Sequence, residues 1–416
     1  MIINRDIYLN QLIDRMNNGM IKVVTGLRRS GKSFLINRIF HDYLKSTEVD
    51  DEHIITVQLD VVENENLLDR HILFEYLHER IKDNNQYYIF LDEIQEVDGF
   101  ESVLNSFLRI ENVDLYVTGS NSKFLSSDIK TELRGREEEI HVNPLSFKGF
   151  YSVNKKDEIA AWNEYMIYGG MPMIVSKKTD EQKAKYLKDL FEETYIKDIV
   201  ERNKIRNVSE LEELIDVLAS SIGSLANPNR ISNTFRSEKK IKLSQDTIKD
   251  YISYLENAFL LTETKRYDVK RRKYINTPLK YYFEDLGLRN ARLNFRQLEE
   301  PHIMENIVFN KLRIRGYNID VGVVEANRKE DDKFIRKQLE IDFIANKGSK
   351  QYYIQVVQGM SKKEKEKQEK ASLLNVRKGF RKIIIRKDNP ITYTDEEGIL
   401  NLYMFDFLLD RKTLDD

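Results

Sequence analysis

Short apolar runs alternate with helical patterns along the first third of the chain. The apolar runs predict β-strands at residues 21–25, 54–59, 87–91, 115–118 and 140–142. Between these runs, apolar residues recur at the three- and four-residue spacing of a helix. Alternation of this kind predicts an α/β fold, in which residues 1–150 form a mainly parallel sheet covered by helices on both faces.

The middle of the chain is helical instead of alternating. Residues 151–206 are polar and helical, with an interruption by Gly-Gly-Met-Pro at 169–172, which is typical of a helical lid or linker. Residues 207–285 contain three helical stretches and then two strands, the order of a winged helix-turn-helix. Ser244 is the expected N-cap of the third helix. That helix is expected to bury one face, made of Ile248, Tyr251, Ile252, Leu255 and Phe259.

Residues 286–416 return to a mixed pattern and are expected to form a separate α/β domain. The predicted elements are, in order, a helix at 303–315, strands at 319–325, 339–345 and 351–357, a helix at 362–375 and a strand at 382–386. The helix at 362–375 begins with alternating charges, a pattern typical of a solvated helix face.

Composition narrows the classes of protein that remain. The 416 residues include 67 basic and 69 acidic side chains, so a nucleic-acid partner would need a local basic patch. The absence of cysteine excludes disulfides, thiolate metal sites and cysteine nucleophiles. No signal peptide or apolar stretch of membrane-spanning length occurs in the sequence. We therefore expect a soluble, cytoplasmic protein with no membrane partner.

A glycine-bracketed loop connects the first predicted strand to the helix that follows. Residues 26–33 read G-L-R-R-S-G-K-S, the P-loop (Walker A) signature. In such a loop, backbone N–H groups surround phosphates, Lys32 reaches the β/γ oxygens, and the Ser33 hydroxyl ligates Mg²⁺. Because no guanine-reading N-K-x-D motif occurs, ATP is the expected nucleotide. The expected nucleotide-binding residues are Gly26, Leu27, Arg28, Arg29, Ser30, Gly31, Lys32, Ser33 and Phe34.

Two carboxylates follow the third predicted strand. Asp92 and Glu93 end the apolar run Tyr-Tyr-Ile-Phe-Leu, at the edge of the sheet where the phosphates would lie. In that position Asp92 would hold Mg²⁺, and Glu93 would polarise the attacking water as general base. The alternative is an acidic strand end that faces solvent.

Other candidate residues follow the next strand. Ser120 or Asn121 could orient the attacking water or contact the γ-phosphate, although small polar residues are also ordinary in turns. Arg134 and Arg136 precede the last strand. One of them, with Arg136 as the candidate, could stabilise the transferring phosphoryl group in cis or across the interface of a homo-oligomer. A surface role is the alternative for both arginines.

A basic segment lies between the two strands of the predicted wing. Phosphate contacts with DNA are one interpretation of this charge, and packing within the protein or against an unknown protein partner is the other. The third helix offers Lys249 among Asp246, Asp250 and Glu256, which is a poor surface for a DNA groove. The six candidate contact residues are Lys265, Arg266, Lys270, Arg271, Arg272 and Lys273.

Several motifs together resemble a known family. G-L-R-R-S-G-K-S, I-F-L-D-E-I-Q, V-T-G-S-N-S, L-R-G-R, N-P-L-S-F-K-G-F, Y-G-G-M-P and Y-I-K-D-I-V-E-R are similar to motifs of bacterial and archaeal AAA-type ATPases that carry a C-terminal domain of unknown function. The resemblance covers nearly the whole chain. It implies an AAA+ core related to switch ATPases, then a winged helix, then a restriction-endonuclease-like domain, and it implies no established substrate.

The resemblance also identifies a candidate remnant of a nuclease site. Active nucleases of that fold use a helix glutamate, a strand aspartate and an E-x-K sequence to hold Mg²⁺ and activate water. Glu305 and the segment Glu340-Ile341-Asp342 match the first two elements, whereas Gln355 and Val357 stand in place of the third carboxylate and the lysine. A nuclease fold without catalysis is therefore expected.

The combined expectation is an ATP-binding protein that hydrolyses ATP slowly with Mg²⁺ and acts as a conformational switch. Two alternatives remain open at this point. One is a nucleotide-gated DNA-binding module that uses the basic wing, and the other is a divergent Mg²⁺-dependent nuclease.

Overall fold

The computed structural model describes residues 3–120, 133, 135–239, 243–330, 333–359, 363–376 and 379–415. The chain divides into two compact units. The first runs to Pro144 and includes the segment Asn257–Phe259, and the second comprises the rest of the described chain from Leu145 onward.

The first unit contains one five-stranded sheet. Its strands are β1 (Ile21–Thr25), β2 (Ile54–Gln58), β3 (Tyr87–Asp92), β4 (Val113–Thr118) and β5 (Glu137–His141). Their order in the sheet is β2-β3-β4-β1-β5, and every neighbouring pair is parallel. The five strands predicted from the apolar runs and the parallel α/β class are therefore confirmed.

Helices cover both faces of this sheet, as predicted. They are α1 (Asp6–Ile13), α2 (Lys32–Phe34), a π-helical turn at Leu35–Phe40, α3 (His41–Ser46), α4 (Arg70–His78) and α5 (Phe100–Phe107). Side chains alternate along β1, so Val23 joins a core with Leu73 and Phe107, while Val24 joins a second core with Leu12 and Phe40. Both cores consist of side chains that are buried between the sheet and the helices on one of its faces.

Among the described residues of the first unit, short 3₁₀ segments connect these elements. They are Asp51–His53, Val62–Leu68 and Ile94–Glu96.

The second unit begins with helices. These are α6 (Phe147–Val153), α7 (Glu158–Tyr168), α8 (Asp180–Asp189), α9 (Lys197–Asn203), α10 (Val208–Ser220), α11 (Pro228–Thr234) and α12 (Gln245–Asn257), with a 3₁₀ turn at Pro172–Ser176 and π-helical turns at Leu190–Ile196 and Phe235–Lys239. Ser244 caps α12, since its Oγ accepts a hydrogen bond from the Thr247 N–H at 3.0 Å. The apolar face predicted for this helix is buried, although Phe259 lies beyond the helix end with a φ of 57°.

One eight-stranded sheet dominates the rest of the second unit. Its strands are β6 (Leu261–Asp268), β7 (Lys273–Phe283), β8 (Asn318–Glu330), β9 (Lys333–Lys347), β10 (Lys350–Val357), β11 (Arg381–Arg386), β12 (Tyr393–Thr394) and β13 (Ile399–Tyr403). The order is β12-β13-β11-β10-β9-β8-β6-β7. The helices of this part are α13 (Leu286–Arg292), α14 (Glu300–Ile314), α15 (Lys363–Leu374) and α16 (Met404–Leu408).

The hairpin β6–β7 belongs to this sheet. Besides its antiparallel partner β7, strand β6 pairs in parallel with β8 through Arg266, Tyr267 and Asp268. The sequence predicts a domain boundary after residue 285, between the hairpin and β8. In the structure that boundary falls inside one compact unit, because backbone pairing joins the two segments.

An aromatic cluster connects the helical segment to the end of the chain. The ring of Trp162, on α7, lies 5.6 Å from the rings of Phe147 and Phe405. The indole N–H of Trp162 donates to Glu300 at 3.1 Å, and Glu300 also pairs with Lys387. The segment expected to be a lid or linker is thus packed within the second unit.

A close backbone approach links α7 to α13. A Cβ on Gly170 would overlap the carbonyl of Leu145, and a Cβ on Gly287 would overlap the carbonyl of Tyr168, so both positions require glycine. The buried carboxylate of Asp285 accepts hydrogen bonds from the N–H of Gly170 at 2.7 Å and of Leu288 at 3.0 Å. Burial raises the pKa of Asp285 to about 6, although these hydrogen bonds oppose the shift.

Within the described ranges, the structure contains no helix that is both long and apolar enough to cross a membrane.

Candidate nucleotide-binding site

The P-loop follows β1 at the carboxyl edge of the parallel sheet. Gly26 has a φ of 132°, and a Cβ there would overlap the carbonyl of Val142. Gly31, at the start of α2, has a φ of 103°. Both glycines of the signature therefore occupy positions that an L side chain would strain. Arg28, Arg29 and Phe34 are exposed on the loop and the helix start.

Lys32 lies over the loop itself. Its side chain is buried, with 4% exposure, and the ammonium donates to the carbonyls of Gly26 at 3.1 Å and Leu27 at 3.2 Å. The cation is thus held against the carbonyls of the P-loop, next to the segment whose backbone N–H groups bind phosphate in a loop of this kind.

Ser33, Asp92 and Thr118 meet at one carboxylate oxygen. Ser33 Oγ donates to Asp92 Oδ1 at 3.0 Å, and Thr118 Oγ1 donates to the same oxygen. Asp92 is buried, and burial raises its pKa while the two hydroxyl hydrogen bonds oppose the rise. A hydroxyl and a carboxylate are hard oxygen donors, so this pair fits the ligand preference of Mg²⁺.

Glu93 is placed beside this group by the end of β3. Its backbone has a φ of 53°, and its N–H donates to Thr118 Oγ1 at 2.8 Å. Its carboxylate accepts from the side-chain amide of Gln95. Thr118 thus connects the two adjacent acidic residues, and Gln95 orients the carboxylate of the second.

Comparison with known proteins identifies the family. The model of the AAA domain matches residues 18–151, and the domain of unknown function DUF8612 matches residues 159–299. An uncharacterized protein of Haemophilus influenzae is 34% identical over 98% of this chain and 99% of its own length. The chain belongs to the AAA family of P-loop ATPases.

More distant matches extend the comparison. An uncharacterized protein of Methanocaldococcus jannaschii is 29% identical over 95% of this chain and 86% of its own length. The structure of the Aeropyrum pernix ORC1 protein in complex with DNA is 13% identical, with a TM-score of 0.33, and covers 71% of this chain and 93% of that one.

Two residues at the AAA site were missed by sequence reasoning. Thr118 ends β4 in the motif V-T-G-S, whereas the residues predicted from the sequence, Ser120 and Asn121, follow the strand. Asn121 lies outside the described residues. The side-chain alternation of β4 could have identified Thr118, since it is the last strand residue beside Asp92.

The second missed residue is Arg5, which supports the P-loop. Its guanidinium donates to the carbonyl of Ser30 at 2.6 Å and to that of Asn143 at 3.0 Å. The Tyr8 hydroxyl bonds both the backbone N–H of Asn143 at 3.1 Å and its side chain at 3.3 Å. No sequence spacing connects Arg5 to the loop, because the contact arises only from the packing of the chain start against it.

The position of Arg136 argues against one of its two predicted roles, contact with the phosphoryl group in its own chain. The carbonyl of Arg136 accepts from the N–H of Ile21, and the next residue, Glu137, is paired with Ile21 at the start of β1. The P-loop follows Thr25, at the opposite end of that strand. Four residues of strand separate the two ends by about 13 Å, so Arg136 does not reach the phosphate site of its own chain. Arg134 lies outside the described residues.

The candidate nuclease remnant is assembled in the second unit, with two additions. Gln355 donates to Asp342 at 3.2 Å. Burial is the main cause that raises the pKa of Asp342, and the negative charge of nearby Glu305 is the second. Lys280 of β7 and Glu340 of β9 join them. Burial alone would lower the pKa of Lys280, but the carboxylates of Glu305 and Glu340 outweigh it and raise that pKa.

Only part of the basic segment at the β6–β7 turn is available for contacts with DNA phosphates. Arg266 is buried, and Arg271 pairs with Glu325 of β8 at 2.8 Å. Lys270 donates to the carbonyl of Glu325. The exposed members of the predicted set are Lys265, Lys270, Arg271, Arg272 and Lys273.

Proposed function

We propose that the chain binds ATP with Mg²⁺, hydrolyses it slowly and uses the cycle as a conformational switch. The observation that carries this proposal is the convergence of Ser33, Asp92 and Thr118 on one buried carboxylate oxygen beside Glu93. A merely structural glycine turn would not need a hydroxyl and an acid from two distant segments at one point.

Each residue of the site has a role in this proposal. The loop N–H groups would bind the phosphates, and the Lys32 ammonium would exchange the carbonyls of Gly26 and Leu27 for phosphate oxygens. Ser33 and Asp92 would hold Mg²⁺, which when bound neutralises charge on the phosphate oxygens. Glu93 would accept a proton from the attacking water, and Thr118 would fix the distance between the two acids.

Two variants test binding and chemistry separately. Lys32→Ala should weaken ATP binding by roughly tenfold or more, because it removes a charge-assisted phosphate contact. Glu93→Gln should keep ATP affinity and reduce turnover about 100-fold or more, since it removes only the base. Lys45→Ala, at a partly exposed lysine of α3 that pairs with Asp51 at 3.0 Å, is the matched control for Lys32.

Binding is measured with a fluorescent ATP analogue and turnover by phosphate release. Unchanged affinity of the Lys32 variant would refute the P-loop role. Full turnover of the Glu93 variant would move the base to another residue.

A second candidate function is nucleotide-gated DNA binding through the β6–β7 turn, favoured by its exposed cations. Replacing Lys265, Arg272 and Lys273 with glutamine should reduce the slope of log K against log salt by roughly 0.9 per lost phosphate contact. Glutamine at Lys178, Lys185 and Lys188, which are exposed on or near α8, removes the same charge elsewhere in the unit. Equal slopes for the two triple variants would leave the turn as a packing element against this protein or a partner.

The alternative role of Arg136, in which it acts across an interface between copies of the chain, is a separate proposal. This alternative predicts that ATP turnover per chain rises with protein concentration, and that Arg136→Ala abolishes the rise. A specific turnover that is independent of concentration would argue against it.

A further inference from the structure

A buried ammonium group lies among the carboxylates of the second unit. Lys280, on β7, has 3% exposure, and its Nζ lies 2.9 Å from Glu305 Oε1 and 2.7 Å from Glu340 Oε1. The two acids come from different elements, α14 and β9. One cation therefore joins a helix and two strands that are far apart in sequence.

The neighbouring groups are arranged around the negative charges. The Tyr282 hydroxyl donates to Glu305 Oε1 at 2.6 Å, and a Cβ on Gly223 would lie 3.1 Å from Glu305 Oε2. Asp342, the third acid, accepts from the N–H of Val356 at 2.8 Å and from Gln355 at 3.2 Å. Glu305 and Asp342 are thus enclosed by protein donors and packing, and Lys280 supplies a positive charge to the group.

A path from solvent reaches Glu340, one acid of this group. A groove of about 840 Å³ between β9 and α15 is lined by Glu340 and Gln355, together with Lys337, Lys367 and Ser372. An ion in solution can therefore approach the carboxylate of Glu340 without unfolding the unit. Yet among the residues whose side chains are described, no group of three or more His, Asp or Glu is arranged to hold a metal ion.

We infer that Lys280 is a built-in cation that occupies the place between Glu305 and Glu340, and that replacing it with a neutral side chain converts the group into a divalent-cation site. An ammonium and a divalent ion compete for the same carboxylate oxygens, since both need short contacts to them. Lys280 provides this charge permanently, because it is covalently part of β7. The inference does not depend on ATP binding by the first unit.

Metal-dependent thermal unfolding of Lys280→Met tests this inference. The chain has one tryptophan, Trp162, which is buried in the same unit, so its fluorescence reports the unfolding of that unit. Without nucleotide, saturating Mn²⁺ should leave the melting temperature of the wild type unchanged. It should raise that of the Lys280→Met variant by several degrees, because an ion that binds only the folded state stabilises it.

The Lys280→Met/Glu305→Gln double variant tests whether the effect of losing Lys280 comes from its charge and not from the size of its side chain. It removes one acid together with the ammonium, so it should melt above the single variant and lose most of the Mn²⁺ response. Lys280→Met/Glu263→Gln, at a partly exposed acid of β6, is the matched control and should keep the response. An Asp92→Asn background removes the acid of the first unit from every comparison.

Two results would overturn the inference. One is a wild-type melting temperature that rises with Mn²⁺ as much as that of the Lys280 variant, since the site would then already accept a metal. The other is a folded Lys280→Met variant with no response. If Lys280→Met does not fold, recovery of folding in the Glu305 double variant supports the built-in cation, and failure to recover it refutes the inference.

Discussion

Removal of the Asp285 carboxylate should destabilise the second unit, and the loss should be larger at pH 5 than at pH 7. The carboxylate accepts two backbone N–H groups at 2.7 and 3.0 Å in a buried place, and alanine would leave both without that acceptor. A buried donor that loses its partner costs about 1–3 kcal/mol. We therefore expect Asp285→Ala to reduce the free energy of unfolding by about 2–6 kcal/mol.

The pH dependence follows from the direction of the pKa shift. Burial raises the pKa of Asp285 from 3.8 to about 6, so the folded state binds a proton more tightly than the unfolded state does. Stability from this group is therefore fully present below pH 3.8 and is lost as the pH rises through about 6. Lowering the pH from 7 to 5 should therefore let Asp285 add on the order of 1 kcal/mol to the free energy of unfolding of the wild type. The alanine variant has no such group and gains nothing from it.

Urea unfolding followed by Trp162 fluorescence measures both effects. Asp157→Ala is the matched control, because Asp157 accepts two N–H groups at 3.0 and 3.1 Å at an exposed helix start. An exposed N-cap is worth about 1 kcal/mol. The reasoning fails if Asp285→Ala costs no more than this control, or if the difference between wild type and Asp285→Ala is the same at both pH values.

Three further predictions concern the two candidate sites. Thr118→Val should reduce ATP turnover by roughly tenfold or more and change ATP affinity by no more than a few-fold, because it deletes the link between Asp92 and Glu93. A turnover equal to that of the wild type would show that Thr118 has no part in the site. Arg5→Met should weaken ATP binding by about tenfold, because it removes the guanidinium that holds the carbonyl of Ser30 in the P-loop. Titration with ATP measures this affinity. A loss of turnover with unchanged affinity would contradict a positioning role for Arg5. The purified chain should not cleave DNA or RNA with Mg²⁺ or Mn²⁺, and cleavage that Asp342→Ala abolishes would restore the nuclease interpretation.

The sequence predicts the first unit well because each of its signals is local. The apolar runs locate all five strands of the sheet to within three residues at either end, and the P-loop glycines, Lys32 and Asp92 follow from one motif and one strand end. The geometry of the loop and of the strand end depends on residues that are adjacent in the sequence, so a sequence motif is enough to predict it.

The residues that the sequence did not reveal act through contacts between distant segments. Arg5 reaches the P-loop across 25 positions, and Lys280 meets Glu340 across 60 positions. The β6–β7 hairpin has the local pattern of a wing, and only its pairing with β8 places it in a larger sheet. Local periodicity does not encode which strand lies beside which, because that choice is made by packing.

The parallel pairing of β6 with β8 limits where this chain can be divided. A fragment that starts at residue 286 would leave the edge of β8 without its neighbour and would expose a row of unpaired backbone groups to other chains. Such a fragment would also lack Lys280, leaving Glu305 and Glu340 without the ammonium that lies between them. A division of the chain between the hairpin and β8 therefore exposes one open strand edge on each product, and we expect both products to be prone to aggregation.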